Sequence, residues 1–263
     1  MLDEKFKIRI SGFLRQVLEL DAVAFNFVDS KGEGNLGGFL NKLIPVLMKR
    51  KKLRREEILE YAKNELHWPK MKEIDIEQIA LGLNSIFDKV YFSDGELSDL
   101  SQILWIRPSK ANLAIFDEIL DSETEITGLR PSAYIRTILN EYCRLPKYIR
   151  EQIVFDDECS LALQAMDSGK ILKFRYHDIP QKVYVFGCIY EYLLEQGNYL
   201  LCYDVEKNMI CSYQISEIRN LHLLQKVFVP NKQLKELFQQ YTDMGMWLND
   251  EIIELGEKGN EKR

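Results

Sequence analysis

The stretch from residue 161 to residue 224 constrains the fold most, because turn residues divide it into short segments with strand character. A short helix is predicted over residues 161–168. The strands that follow are predicted over residues 171–176, 182–194, 198–204, 209–215 and 220–224. Gln196-Gly197 and Glu206-Lys207-Asn208 supply turns between them. This order of elements predicts a small β-domain that begins with a helix.

Side chains alternate between the two faces of these predicted strands. In the first strand, Leu172, Phe174 and Tyr176 share one face, whereas Lys173 and Arg175 share the other. Aromatic rings interleaved with Lys and Arg can stack bases and neutralise phosphates. The candidate nucleic-acid contacts in this region are Lys173, Arg175, Tyr176, Tyr199, Tyr203 and Tyr213. The alternative is that the tyrosines fill the core and keep their hydroxyls at its rim.

The order of these elements, with Asn198-Tyr199-Leu200 at the start of the third strand, resembles the WYL domain of prokaryotic regulators. The resemblance implies a small Sm-like β-barrel over residues 154–226 that senses nucleic acid or a nucleotide-type ligand. The family has a basic stretch similar to R-x-F-R-L-D-R-I, and the last seven positions of that stretch fall on residues 212–218 of this chain. Gln214 and Glu217 stand where that stretch has arginines. The resemblance therefore implies that Gln214 lies in the ligand site, within a weakened anion-binding cluster.

The front half contains two segments, residues 5–49 and 104–145, that share an order of strand, helix, loop and helix. Phe6, Ile8 and Ile10 alternate with polar residues, which is the period of a half-buried strand. The predicted strands cover residues 5–11 and 104–109, and the predicted helices cover residues 13–27, 36–49 and 110–120, with a last helix beginning at Arg130-Pro131-Ser132.

Strand, helix, turn and helix is the order of the ribbon-helix-helix fold, which each front segment resembles. Two such units pair their strands antiparallel, and the outward side chains of the paired strands read bases in the major groove of DNA. The resemblance implies these contact residues: Lys5, Lys7, Arg9, Trp105 and Arg107. The alternative is an ordinary solvated edge, and Trp105 suits stacking or burial better than hydrogen bonding to base edges. The two units are expected to pair either within one chain or between two chains.

The region between the two front segments, residues 54–103, is predicted to be helical, with one helix over residues 74–87 and a turn at Ser93-Asp94-Gly95. The basic run at residues 49–55 either binds a phosphate backbone or ends a helix, where the helix dipole favours cations. The net charge of the chain is −6, but its first 55 residues are net basic. An acidic chain of this kind can still present a local basic face.

Several sequence motifs that mark enzymes and metal sites are absent from the chain. It has no Gly-rich phosphate loop, no H-E-x-x-H and no G-x-S-x-G, so it is predicted not to be an enzyme. The five cysteines form no C-x-x-C and the three histidines are far apart, so neither a metal site nor a cofactor is expected. The acids Asp156-Asp157-Glu158 come just before a predicted helix, where capping and the dipole favour them. Without a signal-peptide core or a membrane-spanning apolar run, the chain is predicted to be cytoplasmic, with reduced cysteines and no membrane partner.

The C-terminal region, residues 227–263, is predicted to contain a helix over residues 230–241, a second apolar stretch and a disordered end over residues 256–263. This region either packs on the barrel or joins a second subunit, and the family resemblance implies dimerisation. The predicted fold class is α+β. A ribbon-helix-helix-like and helical domain covers residues 1–153, the WYL domain covers residues 154–226, and a short helical region follows.

This combination of parts resembles the WYL accessory proteins of type VI-D CRISPR systems. The resemblance implies a non-enzymatic homodimer that binds single-stranded RNA and stimulates an RNA-guided, RNA-cleaving CRISPR effector nuclease. One alternative is a transcriptional regulator that binds duplex DNA through its front half and senses a nucleic-acid ligand through its barrel. Another is a protein-interaction module without nucleic-acid binding. The sequence leaves the preference for RNA or DNA open.

Overall fold

The computed structural model describes residues 6–65, 82, 100–117, 121, 129–190, 197–244 and 253–254. These residues form a mixture of helices and antiparallel strands, which confirms the predicted α+β class. The chain divides into two units, Met1–Leu145 and Pro146–Arg263. Lys5 and nearly all of the predicted helix over residues 74–87 lie outside the described residues, as do the turn at Ser93-Asp94-Gly95 and the tail over residues 256–263.

The first unit is built on a two-stranded ribbon. Strand β1 (Phe6–Ile10) pairs antiparallel with β2 (Gln102–Ile106), so the strands of the two front segments pair within one chain. Lys7 lies opposite Trp105, and Arg9 lies opposite Ile103. The alternation predicted from sequence is present in both strands, because one face of the ribbon is buried while the other is exposed.

Helices pack on the buried face of the ribbon and form the core of the first unit. They are α1 (Gly12–Ala24), α2 (Leu36–Glu65) and α3 (Pro131–Cys143). The Ser11 hydroxyl caps α1 by accepting a hydrogen bond from the Leu14 N–H at 3.2 Å. Fully buried side chains of this core include Ile8, Leu18, Phe39, Leu43, Ile138 and Tyr142. The Tyr142 hydroxyl donates to Asp21 Oδ2 at 2.8 Å, which satisfies a buried carboxylate.

Helix α2 is longer than predicted. The predicted helix over residues 36–49 and the predicted helix start near Arg54 belong to one helix of 30 residues, which contains Pro45. Residues 46–65 include no Gly or Pro and are rich in Lys, Arg and Glu, which are good helix formers. The basic run at residues 49–55 therefore lies within the helix, and its interpretation as a helix end is wrong. Lys51 in this run pairs with Glu141 on α3 at 3.0 Å.

The second unit begins with two helices, α4 (Lys147–Val154) and α5 (Asp156–Ser168), followed by a sheet. Its strands are β3 (Lys170–Tyr176), β4 (Ile179–Tyr190), β5 (Asn198–Asp204), β6 (Met209–Gln214) and β7 (Ile218–Val227), and a 3-10 turn (Ile215–Glu217) separates the last two. The bounds of β5 match the prediction. By contrast, α4 was not predicted, and α5 begins five residues before the predicted helix at residue 161.

The strands of the second unit lie in the order β7-β3-β4-β5-β6-β8, and each pairs antiparallel with its neighbours. The last strand, β8 (Ile253–Glu254), has only two residues. Among the described residues, no pairing joins β7 to β6 or β8. The structure thus gives an antiparallel sheet with open edges, and the closed barrel that the family resemblance implied is not observed.

The C-terminal helix α6 (Lys232–Met244) packs on the sheet of its own unit. Leu234 and Phe238 are buried there, and the Phe238 ring stacks on the Phe186 ring at 4.1 Å between centroids. Packing on the sheet of the same chain is one of the two alternatives that the sequence left open for the C-terminal region. None of the helices in the described part of the chain has the length and apolar character that crossing a bilayer requires.

Candidate nucleic-acid interface

Basic side chains gather on one face of the sheet, across three neighbouring strands. On β3, Lys173 lies opposite Lys182 of β4 and His222 of β7. Arg175, two residues further along β3, lies opposite Arg219 of β7. Residues directly opposite each other share a face of the sheet. These five residues therefore form two adjacent rows, which we call the sheet basic face.

A bulge in β7 creates this face. His222 and Arg219 are three residues apart, and an odd spacing puts side chains on opposite faces of a regular strand. The pairing register of β7 shifts between the Lys173 and Arg175 pairs, and Asn220 at this point has φ +54°. An extra residue of this kind re-aims the side chains that follow it. Both His222 and Arg219 therefore share the face of β3 that carries Lys173 and Arg175.

The carboxylates near the sheet basic face compensate only part of its charge. Glu206 accepts a hydrogen bond from Lys182 Nζ at 2.5 Å, and Asp178 Oδ1 lies 3.9 Å from Arg175 Nε. Both pairs are exposed, where an ion pair contributes about 0–1 kcal/mol. Lys173 has no ion-pair partner within the described part of the chain. Like charges directly opposite each other destabilise a sheet, so this face has the character of an anion site.

Sequence reasoning identified Lys173 and Arg175 but missed Lys182, Arg219 and His222. Arg219 Nη1 donates to the carbonyl oxygens of Ser216 at 2.6 Å and Ile218 at 2.8 Å, so its guanidinium is held beside the 3-10 turn. The three missed residues are exposed or partly exposed; Lys182 and His222 lie in predicted strands, and Arg219 directly precedes the predicted strand over residues 220–224. Their basic character is visible in the sequence, but only the register of β3 with β4 and β7 shows that they lie opposite Lys173 and Arg175.

Two of the predicted tyrosines lie in packed surroundings. Tyr213 is 5 % exposed, and its ring makes edge contacts with Phe174 at 5.1 Å and with Tyr176 at 5.0 Å between centroids. Burial raises the pKa of the Tyr213 hydroxyl, which donates to Gln181 Oε1 at 3.3 Å. Tyr203 is half-buried against Phe228. The buried Tyr213 ring is packed against other rings, whereas nucleic-acid contact by the partly exposed Tyr203 stays a prediction.

The remaining predicted positions of this region lie at less enclosed places. Tyr176 is half-buried and contacts the exposed His177 in the turn between β3 and β4. Tyr199 is half-buried and lies directly opposite Gln214, so these two share a face. Glu217, at the other position where the family has arginine, has Oε2 3.8 Å from His177 Nδ1. Nucleic-acid contact by Tyr176, Tyr199 and Gln214 stays a prediction.

A buried polar cluster fixes the start of β5. Glu151 of α4 is fully buried, and its Oε2 accepts hydrogen bonds from the Asn198 backbone N–H at 2.6 Å and from Asn198 Nδ2 at 2.7 Å. Burial raises the pKa of Glu151, against the opposing effect of its hydrogen bonds to Asn198. A Cβ on Gly197 would lie 2.7 Å from Glu151 Oε2. Asn198, the first residue of Asn-Tyr-Leu, is therefore an internal anchor.

The exposed face of the ribbon in the first unit is also cationic and aromatic. Lys7 Nζ lies 5.5 Å from the centre of the Trp105 ring, and the two residues are directly opposite. Trp105 is 56 % exposed and Ile103 is 43 % exposed. Arg9 lies opposite Ile103. We call these four residues the ribbon face.

Arg107, the other predicted contact of the front half, is exposed just after β2. Its carbonyl oxygen accepts a hydrogen bond from Asn41 Nδ2 at 2.9 Å, which holds this end of the ribbon on α2. The described residues include no group of three or more His, Cys, Asp or Glu side chains that could hold a metal ion.

Comparison with known proteins gives a structural neighbour. No protein-family model matches the chain, and no curated protein matches it. A solved structure described as "Crystal structure of a CRISPR Cas-related protein" matches with a TM-score of 0.68 over 92 % of this chain and 70 % of that chain. The two sequences are 15 % identical. The chain therefore shares its fold with a CRISPR Cas-related protein.

Proposed function

We propose that this protein is a non-enzymatic accessory protein that binds single-stranded RNA and modulates an RNA-targeting CRISPR effector nuclease. The observation that carries the proposal is the sheet basic face, where Lys173, Arg175, Lys182, Arg219 and His222 occupy opposed positions on three strands. Phosphates bound there would relieve the repulsion between like charges. The fold shared with a CRISPR Cas-related protein supports the CRISPR setting.

The strand order supports the interpretation of residues 154–226 as a WYL-type, Sm-like barrel. A helix, α5, comes before five strands, and the fifth strand, β7, lies beside the first, β3. In this arrangement β6 and β7 are the two strands whose meeting would close a barrel, along the part of β6 that follows its pairing with β8 at Met209 and Ile210. A 3-10 turn of three residues links them, so little chain separates the two edges.

The size of the sheet basic face suits a few phosphates of one strand. The two rows are two residues apart on β3, which is roughly 7 Å, and the three strands span roughly 10 Å. A patch of this size neutralises few phosphates, so the dependence of affinity on salt is expected to be moderate. For single strands, log affinity falls with log salt by about 0.7 for each phosphate neutralised.

Charge reversal on the sheet basic face tests this proposal. Fluorescence anisotropy would measure the binding of labelled single-stranded RNA, single-stranded DNA and duplex DNA of matched sequence across a salt series. The double variant Lys173→Glu with Arg175→Glu is expected to weaken RNA binding about tenfold or more, with a shallower salt slope. The matched control, Lys232→Glu with Lys235→Glu on α6, changes the charge equally and is expected to keep the affinity within about threefold.

The outcomes separate the three candidate functions. Preference for single-stranded RNA, lost in the β3 variant alone, supports the proposal, and addition of the protein to an RNA-guided effector nuclease should then raise its cleavage rate. Equal loss in both variants would remove the sheet basic face as a specific site. An absence of binding to every polymer at low salt would favour a protein-interaction module. Homodimerisation through residues 227–263 is a separate part of the proposal, which sedimentation of the full chain would test.

A second candidate function is a regulator that binds duplex DNA through a ribbon-helix-helix-like first unit. The observation that favours it is the pairing of β1 with β2 inside one chain, which completes a ribbon with helices on one face. Tight binding to duplex DNA in the same assay, sensitive to Lys7→Glu with Arg9→Glu, would support this function over the first.

A further inference from the structure

We infer that the ribbon face is a second nucleic-acid site, where Trp105 stacks an unpaired base while Lys7 and Arg9 hold the adjoining phosphates. This inference extends the proposed function, because it assigns a separate role in single-strand binding to the first unit. The proposed function itself rests on β3, β4 and β7 of the second unit.

The exposure of the ribbon face is the first argument. Leu104 and Ile106, which flank Trp105 on β2, are almost fully buried, as the alternation of a strand requires. Trp105 and Ile103 therefore lie on the outer face together, with more than two fifths of each side chain exposed. A large indole has both an apolar body and a polar N–H, which is the character of a residue that meets a partner.

The cations beside the indole indicate what that partner is. Lys7 and Arg9 are the residues directly opposite Trp105 and Ile103, so each apolar side chain has a cation next to it. Lys7 Nζ lies over the ring at 5.5 Å. An exposed cation–π contact is weak and the lysine stem is flexible, so the ammonium can turn to a phosphate and leave the ring to a base. A ring beside a phosphate-binding cation matches the repeating chemistry of a nucleotide.

The same residues favour an unpaired base over a duplex. Reading a major groove requires donors and acceptors that match base edges. On the β2 side of the ribbon face, the outward side chains are Ile103 and Trp105, and the only hydrogen-bonding group they offer is the indole N–H. Stacking instead requires a base whose flat face is accessible, which single strands provide.

Comparison of base-containing and abasic strands tests the inference. The probes are labelled single-stranded RNAs of about 12 nucleotides, with and without bases at the central positions, a length within the range that single-strand sites cover. Trp105→Ala in the full chain is expected to weaken binding of the base-containing strand by about 5- to 160-fold, the range that corresponds to loss of one base-stacking contact. Binding of the abasic strand should change little, because Lys7 and Arg9 remain.

Two further variants act as controls. Trp105→Phe keeps an aromatic face and is expected to retain most of the affinity. Tyr61→Ala removes an exposed aromatic side chain from α2 of the same unit and is expected to have no effect. Circular dichroism should show the same helical content in all three variants and in the wild type.

Each outcome bears on one site or the other. If Trp105→Ala leaves base-containing RNA binding unchanged, or weakens the abasic strand equally, the stacking role is refuted. If it weakens duplex DNA as much as RNA, the ribbon binds a groove and the inference is also refuted. If Trp105→Ala lowers the RNA affinity and the Lys173 and Arg175 double variant does not, the ribbon site is upheld and the sheet basic face is refuted. If only the Lys173 and Arg175 double variant lowers the RNA affinity, the sheet basic face is upheld and the ribbon site is refuted.

Discussion

Replacement of the buried Glu151 by Gln is predicted to make the protein more stable at neutral and alkaline pH. The carboxyl group is fully buried in the second unit, and Asn198 donates two hydrogen bonds to its Oε2. Among the described residues, neither the other oxygen, Oε1, nor Ser216 Oγ has a hydrogen-bond partner, although both atoms are buried. Ser216 is close enough to the carboxylate to oppose the rise of its pKa. A Gln side chain would keep an acceptor for Asn198 and turn an N–H donor toward Ser216.

The size of the effect follows from the hydrogen bonds that change. A buried group without a partner costs about 1–3 kcal/mol, whereas making the two bonds to Asn198 neutral loses about 1 kcal/mol for each. Burial is the largest influence on the pKa of Glu151 and opposes the charge. The net expectation for Glu151→Gln is a gain of about 1 kcal/mol at pH 8, or about 3 °C in Tm. Glu151→Ala leaves the Asn198 backbone N–H without its acceptor and leaves Asn198 Nδ2 with only the Tyr148 carbonyl oxygen, and it should lose about 2–5 kcal/mol.

The pH dependence distinguishes this account from a simple packing effect. The folded-state pKa of Glu151 is raised above its unfolded value. The folded state therefore holds the proton more tightly, and this contribution to stability is fully present below the unfolded pKa of about 4.3. It is lost as pH rises through the folded pKa, because the folded protein must then bury a charge. The advantage of Glu151→Gln should appear at pH 8 and shrink toward pH 4.5.

Urea unfolding of the wild type and of Glu151→Gln at a series of pH values, followed by circular dichroism, would measure this difference. The free energy of unfolding should be higher for Glu151→Gln at pH 8, with an unchanged m-value. A variant that is less stable than the wild type at pH 8 would refute the reasoning, as would a gain that is constant from pH 4.5 to pH 8.

Two further predictions concern the second unit. Tyr213→Phe removes the hydroxyl that hydrogen-bonds Gln181 but keeps the buried ring, so thermal unfolding should show a loss of stability of about 1 kcal/mol. The affinity for RNA should stay unchanged, and a large loss of affinity would assign Tyr213 to binding. Asn220→Val puts a β-branched residue at positive φ and should cost about 1–3 kcal/mol and weaken RNA binding by disturbing Arg219 and His222, whereas Asn220→Gly should preserve the affinity.

The elements that sequence predicted well are those whose signal is local. The alternation of residues 6–10 and the bounds of β5 follow from the period of a strand, which needs no knowledge of the partner strand. The start of α3 at Pro131 follows from a local signal too, because proline is favoured in the first turn of a helix. The pairing of β1 with β2 joins positions almost a hundred residues apart. Pairing within one chain and pairing between two chains are both compatible with the alternation of the strands, so the sequence left both open.

The prediction of a helix end near residue 49 was wrong, and the interior face of the sheet strands could not be assigned, for different reasons. Lys and Arg are favoured both at the C-terminal ends of helices and in helix interiors. The run at residues 49–55 was therefore compatible with either position, and the structure shows that the helix continues to Glu65. The tyrosines of β3, β5 and β6 alternate in sequence, but which face of a strand is interior depends on what covers it. Tyr213 is interior, and Tyr203 is half-buried in the packing under α6, although both lie in alternating strands.

The sheet basic face depends on register, and this makes it more informative than a count of charges. Lys173 and Arg175 alone are an ordinary pair on a solvated strand. The pairing scheme adds a cation or a histidine opposite each of them, and a bulge at Asn220 is needed for this arrangement. Like charges directly opposite each other destabilise a sheet, and the exposed ion pairs beside them offset little of this cost. A protein that accepts this cost becomes more stable when an anion binds, and a single-stranded nucleic acid is a polyanion that supplies several charges.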